Sequence, residues 1–238
     1  MTDTTITSSP GSAAAPGYDN LPRLIALMTG DEKHSTSADS TLDVLWVLYD
    51  RVLNVSPATV DDPDRDRFLL SKGHGPMSYY AVLAAKGFIP IETLATFGAY
   101  DSPLGHHPDR MLIPGVEISS GSLGHGLPIA LGLALGLQAQ ERGGRVVALV
   151  GDAELDEGSN HEAIALAGRL GLDRLMVVVV DNRSATYGWP GGIAGRFEIE
   201  GWAAASVDGR DRAALEAAFS SDHLGQPMVV VAVVEEGA

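Results

Sequence analysis

The chain of 238 residues contains no cysteine, so it can form neither disulfides nor a thiolate nucleophile. A reducing cytoplasm is the simplest compartment for such a protein, and we expect a cytoplasmic location. Long apolar runs are also missing. The longest, residues 127–137, contains Pro128 and two glycines and is shorter than the roughly 20 apolar residues that a membrane-spanning helix needs. Residues 1–16 lack the basic and apolar regions of a signal peptide.

Basic residues are scarce relative to acidic ones. The chain has 16 Lys and Arg against 31 Asp and Glu, a formal net charge of −15 at pH 7. This charge repels nucleic acids and anionic membranes, so we expect neither as a partner. An anionic cofactor is not excluded, because helix ends and a bound metal can neutralise a phosphate locally.

The chain alternates segments of helical spacing with short runs rich in valine. Residues 1–19, rich in Ser, Thr, Ala, Pro and Gly, are predicted to be a disordered leader. Residues 20–238 are predicted to be one domain, because no break in composition divides them. Strands that alternate with helices predict an α/β fold with a mainly parallel sheet flanked by helices.

Hydrophobic periodicity gives a coarse map of the elements. Helices are predicted at residues 21–28, 41–53, 77–86, 91–99, 121–140, 157–170 and 211–219. Strands are predicted at residues 145–150, 175–180 and 227–234, with a further short apolar run at residues 68–70. Residues 187–202, rich in glycine and aromatics, are predicted to be irregular.

Two polar residues, Asp152 and Asn182, follow two of the valine-rich runs. The runs and the helix between them predict a right-handed strand–helix–strand unit, whose parallel strands end at the same sheet edge. Carboxylate and amide oxygens suit Mg²⁺ or Ca²⁺, and a helix beginning just after Asp152 would favour an anion there. The pattern predicts a metal-bridged diphosphate, although Asp and Asn also occur at strand ends merely as turn formers.

Four segments together extend this pattern over roughly residues 20–235. They are Ser71-Lys72-Gly73-His74-Gly75, Gly105-His106-His107-Pro108-Asp109, Gly121-Ser122-Leu123-Gly124-His125-Gly126, and Gly151-Asp152-Ala153-Glu154-Leu155-Asp156-Glu157-Gly158 with Asp181-Asn182. In order and approximate spacing they resemble the transketolase family, and the last segment resembles its thiamine-diphosphate motif. The resemblance implies the three-layer thiamine-diphosphate-binding fold.

The resemblance implies a cofactor, thiamine diphosphate with Mg²⁺ (or Ca²⁺), and a set of residues that hold it. Asp152, Asn182 and the main-chain carbonyl of Ser184 would ligate the metal. Ala153 stands where the family usually has glycine, and its N–H can still meet the diphosphate if its φ is negative.

Further cofactor contacts follow from the same resemblance. Gly121 and Leu123 would lie against the cofactor, with His74 on its diphosphate side. Glu157 would belong to the cofactor site, and with Glu162 it would join a carboxylate cluster across the subunit interface. The alternative for both acids is a solvated position near a helix start, which is itself stabilising.

Three histidines are predicted to face the chemistry: His34, His74 and His107. By resemblance, His34 and His107 line the substrate channel, where histidine can transfer protons near neutral pH. His106 is adjacent and could take the place of His107. The alternative for each is an exposed loop histidine.

The resemblance also implies a partner. In the family, a glutamate on a separate pyrimidine-binding domain activates the cofactor, and the sequence reaches its end soon after the last predicted strand. We therefore expect a transketolase C-terminal-type subunit carrying that domain, a heterotetramer of two chains of each kind, and inactivity without the partner. The shorter C-terminus also lacks a further channel histidine, which favours a specialised sugar or keto substrate.

Three functions are compatible with the sequence. The first is a split transketolase-like enzyme that transfers a two-carbon ketol unit from a ketose-type donor to an aldehyde acceptor. The second is an α-type subunit of a thiamine-diphosphate-dependent 2-keto acid dehydrogenase or decarboxylase, and the third is a scaffold subunit that has lost catalysis. The segments around His74 and His107 favour the first.

Overall fold

A five-stranded, wholly parallel sheet forms the centre of the computed structural model, which describes residues 15–29, 38–186 and 188–234. The strand order is β1-β2-β3-β5-β4, and neighbouring strands run parallel throughout. The strands are β1 (Arg67–Leu70), β2 (Val146–Gly151), β3 (Leu175–Asp181), β4 (Ala203–Asp208) and β5 (Met228–Val233). The predicted α/β fold with a mainly parallel sheet is confirmed.

Seven α-helices flank the sheet in the described residues. They are α1 (Leu21–Ile25), α2 (Leu42–Val47), α3 (Met77–Ala85), α4 (Gly126–Ala139), α5 (Gly158–Leu170), α6 (Gly192–Ile199) and α7 (Arg212–Phe219). None of them is long and apolar enough to cross a membrane. The predicted leader, residues 1–19, lies mostly outside the described residues.

Buried side chains on both faces of the sheet make the fold three-layered. In β2, Val147 and Leu149 pack with α1, α2, α3 and α7. The alternate residues Val146, Ala148 and Val150 pack on the other face with α4, α5 and α6. A strand that is covered on both sides needs a continuous apolar run, which is why the valine-rich segments are strands of a parallel sheet.

Several predicted elements need correction. The stretch predicted to be irregular contains α6, and β4 follows it where no strand was predicted. Their composition makes both elements hard to predict. Gly192 and Gly195 lower the helix propensity of α6, and β4 begins with three alanines, which have little strand preference. The helix predicted from residue 121 begins at Gly126, and residues 91–99 form only a 3-10 helix, Ile91–Thr96.

Asp66 fixes the amino end of β2 and provides a stability test. Its carboxylate is 4% exposed and accepts hydrogen bonds from the backbone N–H groups of Asn54 (2.9 Å) and Arg145 (2.7 Å). The Arg145 guanidinium also donates to it, at 2.9 Å.

Asp66→Asn should lower the free energy of unfolding by about 2–3 kcal/mol, because the amide NH₂ would face a buried donor. Urea denaturation followed by circular dichroism measures this change. The matched variant Asp61→Asn, at an exposed site, should change stability by less than about 0.5 kcal/mol. Equal midpoints for the two variants would contradict the role of Asp66.

Candidate functional site

Asp152 lies at the carboxyl edge of the sheet, directly after β2. It is 1% exposed, and its own N–H donates to the Val180 carbonyl at 3.1 Å. Its carboxylate accepts from the Ser184 hydroxyl at 2.6 Å and from the Ala185 N–H at 3.0 Å. One buried carboxylate therefore joins the loop after β2 to the loop after β3.

Asn182 follows β3, the strand paired with β2. Its side-chain oxygen is buried and accepts no hydrogen bond from any described residue. A buried acceptor without a partner is costly, and a cation beside it would remove that cost. Two oxygen ligands with no thiolate or imidazole fit Mg²⁺ or Ca²⁺. The ligation itself, including the role of the Ser184 carbonyl, stays a prediction.

The described residues contain no group of three or more His, Cys, Asp or Glu side chains that could hold a metal. Asp152 and Asn182 would therefore need further oxygens, from a main-chain carbonyl, water or phosphate. This requirement agrees with a metal that is bound together with a diphosphate.

The helical segment after Asp152 begins as a 3-10 turn and not as an α-helix. A 3-10 turn, Ala153–Asp156, comes first, and α5 begins at Gly158. The reason lies in Leu155, which is fully buried and anchors the turn, and in Glu157, whose extended backbone (φ −73°, ψ 130°) precedes the helix. Glu157 is exposed at the N-cap position of α5. The amino end of α5 agrees within one residue with the start predicted at residue 157, and the 3-10 turn lies between it and Asp152.

Ala153 has the negative φ that its predicted contact with the diphosphate requires. It lies in the 3-10 turn, and the non-glycine residues with positive φ in the described part of the chain are Glu141 and Arg183. An alanine with negative φ holds this backbone without strain.

The loop histidines divide into two groups. The rings of His74 and His107 lie edge to face with centroids 5.7 Å apart. His107 also approaches two glycines: a Cβ at Gly73 or Gly121 would lie 3.1 or 3.2 Å from its ring. His106 instead packs against Phe97, at 5.5 Å. His107 is therefore the one grouped with His74, while His34 lies outside the described residues.

The glycine segment 121–126 runs from this histidine pair to the start of α4. Gly121 has a φ of +133° and Gly124 a φ of +79°, conformations that favour glycine. Leu123 is 42% exposed, which leaves its side chain available to a ligand. The Ser159 hydroxyl of α5 donates to the Gly124 carbonyl at 2.6 Å, so this segment is also tied to the amino end of α5.

Two buried charged residues beside the site were not predicted to have a role. Glu154 is 1% exposed, and burial raises the pKa of its carboxyl group although three donors oppose that shift. Lys72 is 9% exposed, and its ammonium donates to the Ser40 hydroxyl at 3.3 Å. Burial lowers the pKa of Lys72 to about 8, against the opposing charges of Asp152 and Glu154. Their position next to His74 and Asp152 in the sequence was the available signal.

A cavity of about 280 Å³ opens beside Asp152, lined by Asp181, Arg183 and Trp189 among others. His161 of α5 stacks on Trp189, with ring centroids 5.1 Å apart and planes at 17°. This stack places His161 against one of the residues that line the cavity.

The comparisons with known proteins agree with this geometry. The sequence profile of the family described as "Transketolase, thiamine diphosphate binding domain" matches residues 25–233. One relative is a subunit of the apulose-4-phosphate transketolase of Actinobacillus succinogenes, and it is 38% identical over 85% of this chain and 76% of its own length. Another, "Ferredoxin fas2" of Rhodococcoides fascians, is 59% identical over 91% of this chain and 72% of its own length.

A solved structure is similar as well. A mutant transketolase from Pichia stipitis in complex with fructose 6-phosphate superimposes with a TM-score of 0.78 and 23% identity over 91% of this chain. The likeness at this identity concerns the fold, and it confirms the three-layer thiamine-diphosphate-binding architecture. The chain spans about a third of that protein's length, 36%.

Proposed function

Because the chain belongs to the family of transketolase thiamine-diphosphate-binding domains, we propose that it is the diphosphate- and Mg²⁺-binding subunit of a split transketolase-like enzyme. The prediction of a thiamine-diphosphate-dependent transferase is confirmed at the level of the family. The reaction we propose is transfer of a two-carbon ketol unit from a ketose-type donor to an aldehyde acceptor. The observation that carries the proposal is the unpartnered, buried oxygen of Asn182 at the sheet edge that holds Asp152.

In this proposal the metal, Mg²⁺ or Ca²⁺, is held by Asp152, Asn182 and the main-chain carbonyl of Ser184. The Ser184 hydroxyl and the Ala185 N–H already fix both carboxylate oxygens of Asp152, so this ligand is oriented in advance. Preorganised ligands lose little freedom on binding, which raises affinity.

When bound, thiamine diphosphate supplies a nucleophilic carbon and an electron sink for cleaving a carbon–carbon bond. The chain's own contribution near the substrate is the pair His74 and His107. Imidazole side chains exchange protons near neutral pH, so this pair can hold or pass a proton at a substrate hydroxyl. His34 is proposed to join them.

A partner subunit is part of the proposal. We propose a C-terminal-type transketolase subunit that carries the pyrimidine domain, and a heterotetramer of two chains of each kind. The support is the 38% identical relative, whose name describes it as one subunit of a transketolase, together with exposed cofactor-site residues such as Leu123 and Glu157. Such exposed positions leave one side of the site open to a second protein.

The experiment is reconstitution with a C-terminal-type transketolase subunit that carries a pyrimidine domain, which we expect to be encoded next to this gene. Calorimetry of the pair with thiamine diphosphate and Mg²⁺ should show saturable binding that EDTA abolishes. Turnover of hydroxypyruvate with an aldehyde acceptor should require both chains. A reconstituted pair that binds no cofactor would favour the scaffold function and overturn the proposal.

A second candidate is oxidation or decarboxylation of a 2-keto acid, and the name of the 59% identical relative, a ferredoxin, favours testing it. This chain has no cysteine and therefore none of the thiolates that hold iron–sulfur clusters. An electron acceptor would have to come from elsewhere. Pyruvate turnover coupled to a one-electron dye, in place of ketol transfer from hydroxypyruvate, would select this candidate.

A further inference from the structure

Glu154 connects three segments that surround the proposed cofactor site. Its carboxylate accepts hydrogen bonds from the Ser71 hydroxyl, from the Gly124 N–H at 3.0 Å and from the Gly151 N–H at 3.4 Å. These donors belong to the loop after β1, the glycine segment and the end of β2. Two of the donors lie 30 and 83 positions away in sequence, so Glu154 joins segments that the chain itself holds apart.

The same network reaches the amino end of α4. The Ser71 hydroxyl that donates to Glu154 also accepts the Gly126 N–H at 3.0 Å, and Gly126 is the first residue of that helix. His125, at the N-cap position, makes no side-chain capping bond. The free N–H groups at a helix start need acceptors; here Ser71 supplies one to Gly126, and Glu154 orients that serine hydroxyl.

Close packing makes this arrangement stiff. A Cβ at Gly126 would lie 2.2 Å from the Ser71 side chain, and a Cβ at Gly124 would lie 2.6 Å from Glu157. Upstream, a Cβ at Gly121 would lie 3.2 Å from the ring of His107. A shift of Gly124 or Gly126 therefore propagates to the histidine pair at one end and to the loop after β2 at the other.

Every group that is hydrogen-bonded to the Glu154 carboxylate is a donor. The side chain at this position therefore needs two acceptor oxygens. Glutamine offers one oxygen, and its NH₂ group would meet an N–H or the serine hydroxyl. The ammonium of Lys72 lies in the same buried region and compensates the charge.

We propose that Glu154 is a positioning residue that holds the Ser71 hydroxyl at the amino end of α4 and sets the geometry of the glycine segment against Asp152. The expected effect of Glu154 on cofactor binding rests on the proposed function. Its expected effect on the backbone of the glycine segment does not. Glu154 acts through Gly124, Ser71 and Gly126 and itself contacts no ligand.

The first test follows backbone amide exchange in the full chain without cofactor. Glu154→Gln should speed exchange at Gly124 and Gly126 about tenfold or more, since a lost buried hydrogen bond opens them locally. Exchange at Val178, in the central strand, serves as the reference for global unfolding. Ser71→Ala should speed amide exchange at Gly126. Exchange at Gly124, whose N–H binds Glu154 directly, should change much less. Unchanged exchange in both variants would overturn the proposal.

The second test measures binding of thiamine diphosphate with Mg²⁺ by the reconstituted pair. Glu154→Gln should weaken affinity by about 10- to 100-fold, as for other residues that orient ligands. The KM for cofactor should rise while kcat at saturating cofactor changes little, because the reacting groups are intact.

The matched control is Asp66→Asn, another buried carboxylate that holds backbone N–H groups, at the opposite end of β2. It should destabilise the chain yet leave cofactor affinity unchanged. An equal loss of cofactor affinity in Asp66→Asn and Glu154→Gln would show that Glu154 has a purely structural role. If the wild-type pair binds no cofactor, the proposed function fails, and the exchange experiment still decides the role of Glu154.

Discussion

Replacing Asp152 by asparagine should weaken Mg²⁺-dependent binding of thiamine diphosphate to the reconstituted pair by about 100-fold or more, since the effect on a ligand should exceed that on its supporting residues. The substitution removes one negative charge from a site with a single carboxylate ligand, and affinity for a divalent cation depends strongly on ligand charge. Among the described residues no cluster of acids could replace it.

The Asp152→Asn variant should still fold. The remaining oxygen can accept the Ala185 N–H, and the new NH₂ group can donate to the Ser184 hydroxyl, which can reverse its role from donor to acceptor. Calorimetric titration of thiamine diphosphate at fixed Mg²⁺, beside an unfolding curve, separates binding from stability. The control is Asp19→Asn, the same change of charge at an exposed site. Equal affinity in the two variants would exclude Asp152 as a metal ligand.

Replacing Gly168 by alanine should lower the free energy of unfolding by about 3 kcal/mol, at the upper end of what overpacking costs. Gly168 lies in α5, where a Cβ would come 1.8 Å from the Glu200 carbonyl oxygen and 3.0 Å from the Trp202 ring. The backbone of Glu200 cannot move aside as the end of a flexible side chain can. Trp202 also donates to the Ile164 carbonyl at 2.9 Å, so α5 would have to move away from a contact that fixes it.

A matched control lies in the neighbouring helix α4. A Cβ at Gly132 meets nothing within 4 Å, so Gly132→Ala should be neutral or stabilise the chain by about 0.5–1 kcal/mol through helix propensity. Thermal unfolding of the two variants under identical conditions makes the comparison. Equal melting temperatures would show that the close approach of Gly168 to Glu200 does not constrain the fold.

The strand–helix–strand unit around Asp152 was predictable because its signals are local. Valine-rich runs, helical spacing between them and a polar residue after each run are all visible within residues 145–182. Strand β4 was not predictable in this way. Its alanines form a strand because β5 offers a parallel partner along its whole length, which is a tertiary effect on a segment with weak preference of its own.

Within the site, the sequence predicts residues that would meet a ligand but gives no sign of those that hold them in place. The choice between His106 and His107 depends on whether a ring packs on Phe97 or on Gly73 and Gly121, and neighbours in sequence give no sign of it. Glu154 was overlooked for a similar reason. An acid among the acids of residues 152–157 becomes distinct only when its partners, Ser71 and Gly124, come close in three dimensions.

Strand β2 is held at its two ends by different acids, Asp66 before it and Glu154 after it. Selection for thermal tolerance would therefore act on one end of this strand, and selection for cofactor affinity on the other. An engineer could improve either property with little penalty to the other, because the five buried residues 146–150 of β2 separate the two anchoring points, Arg145 and Gly151.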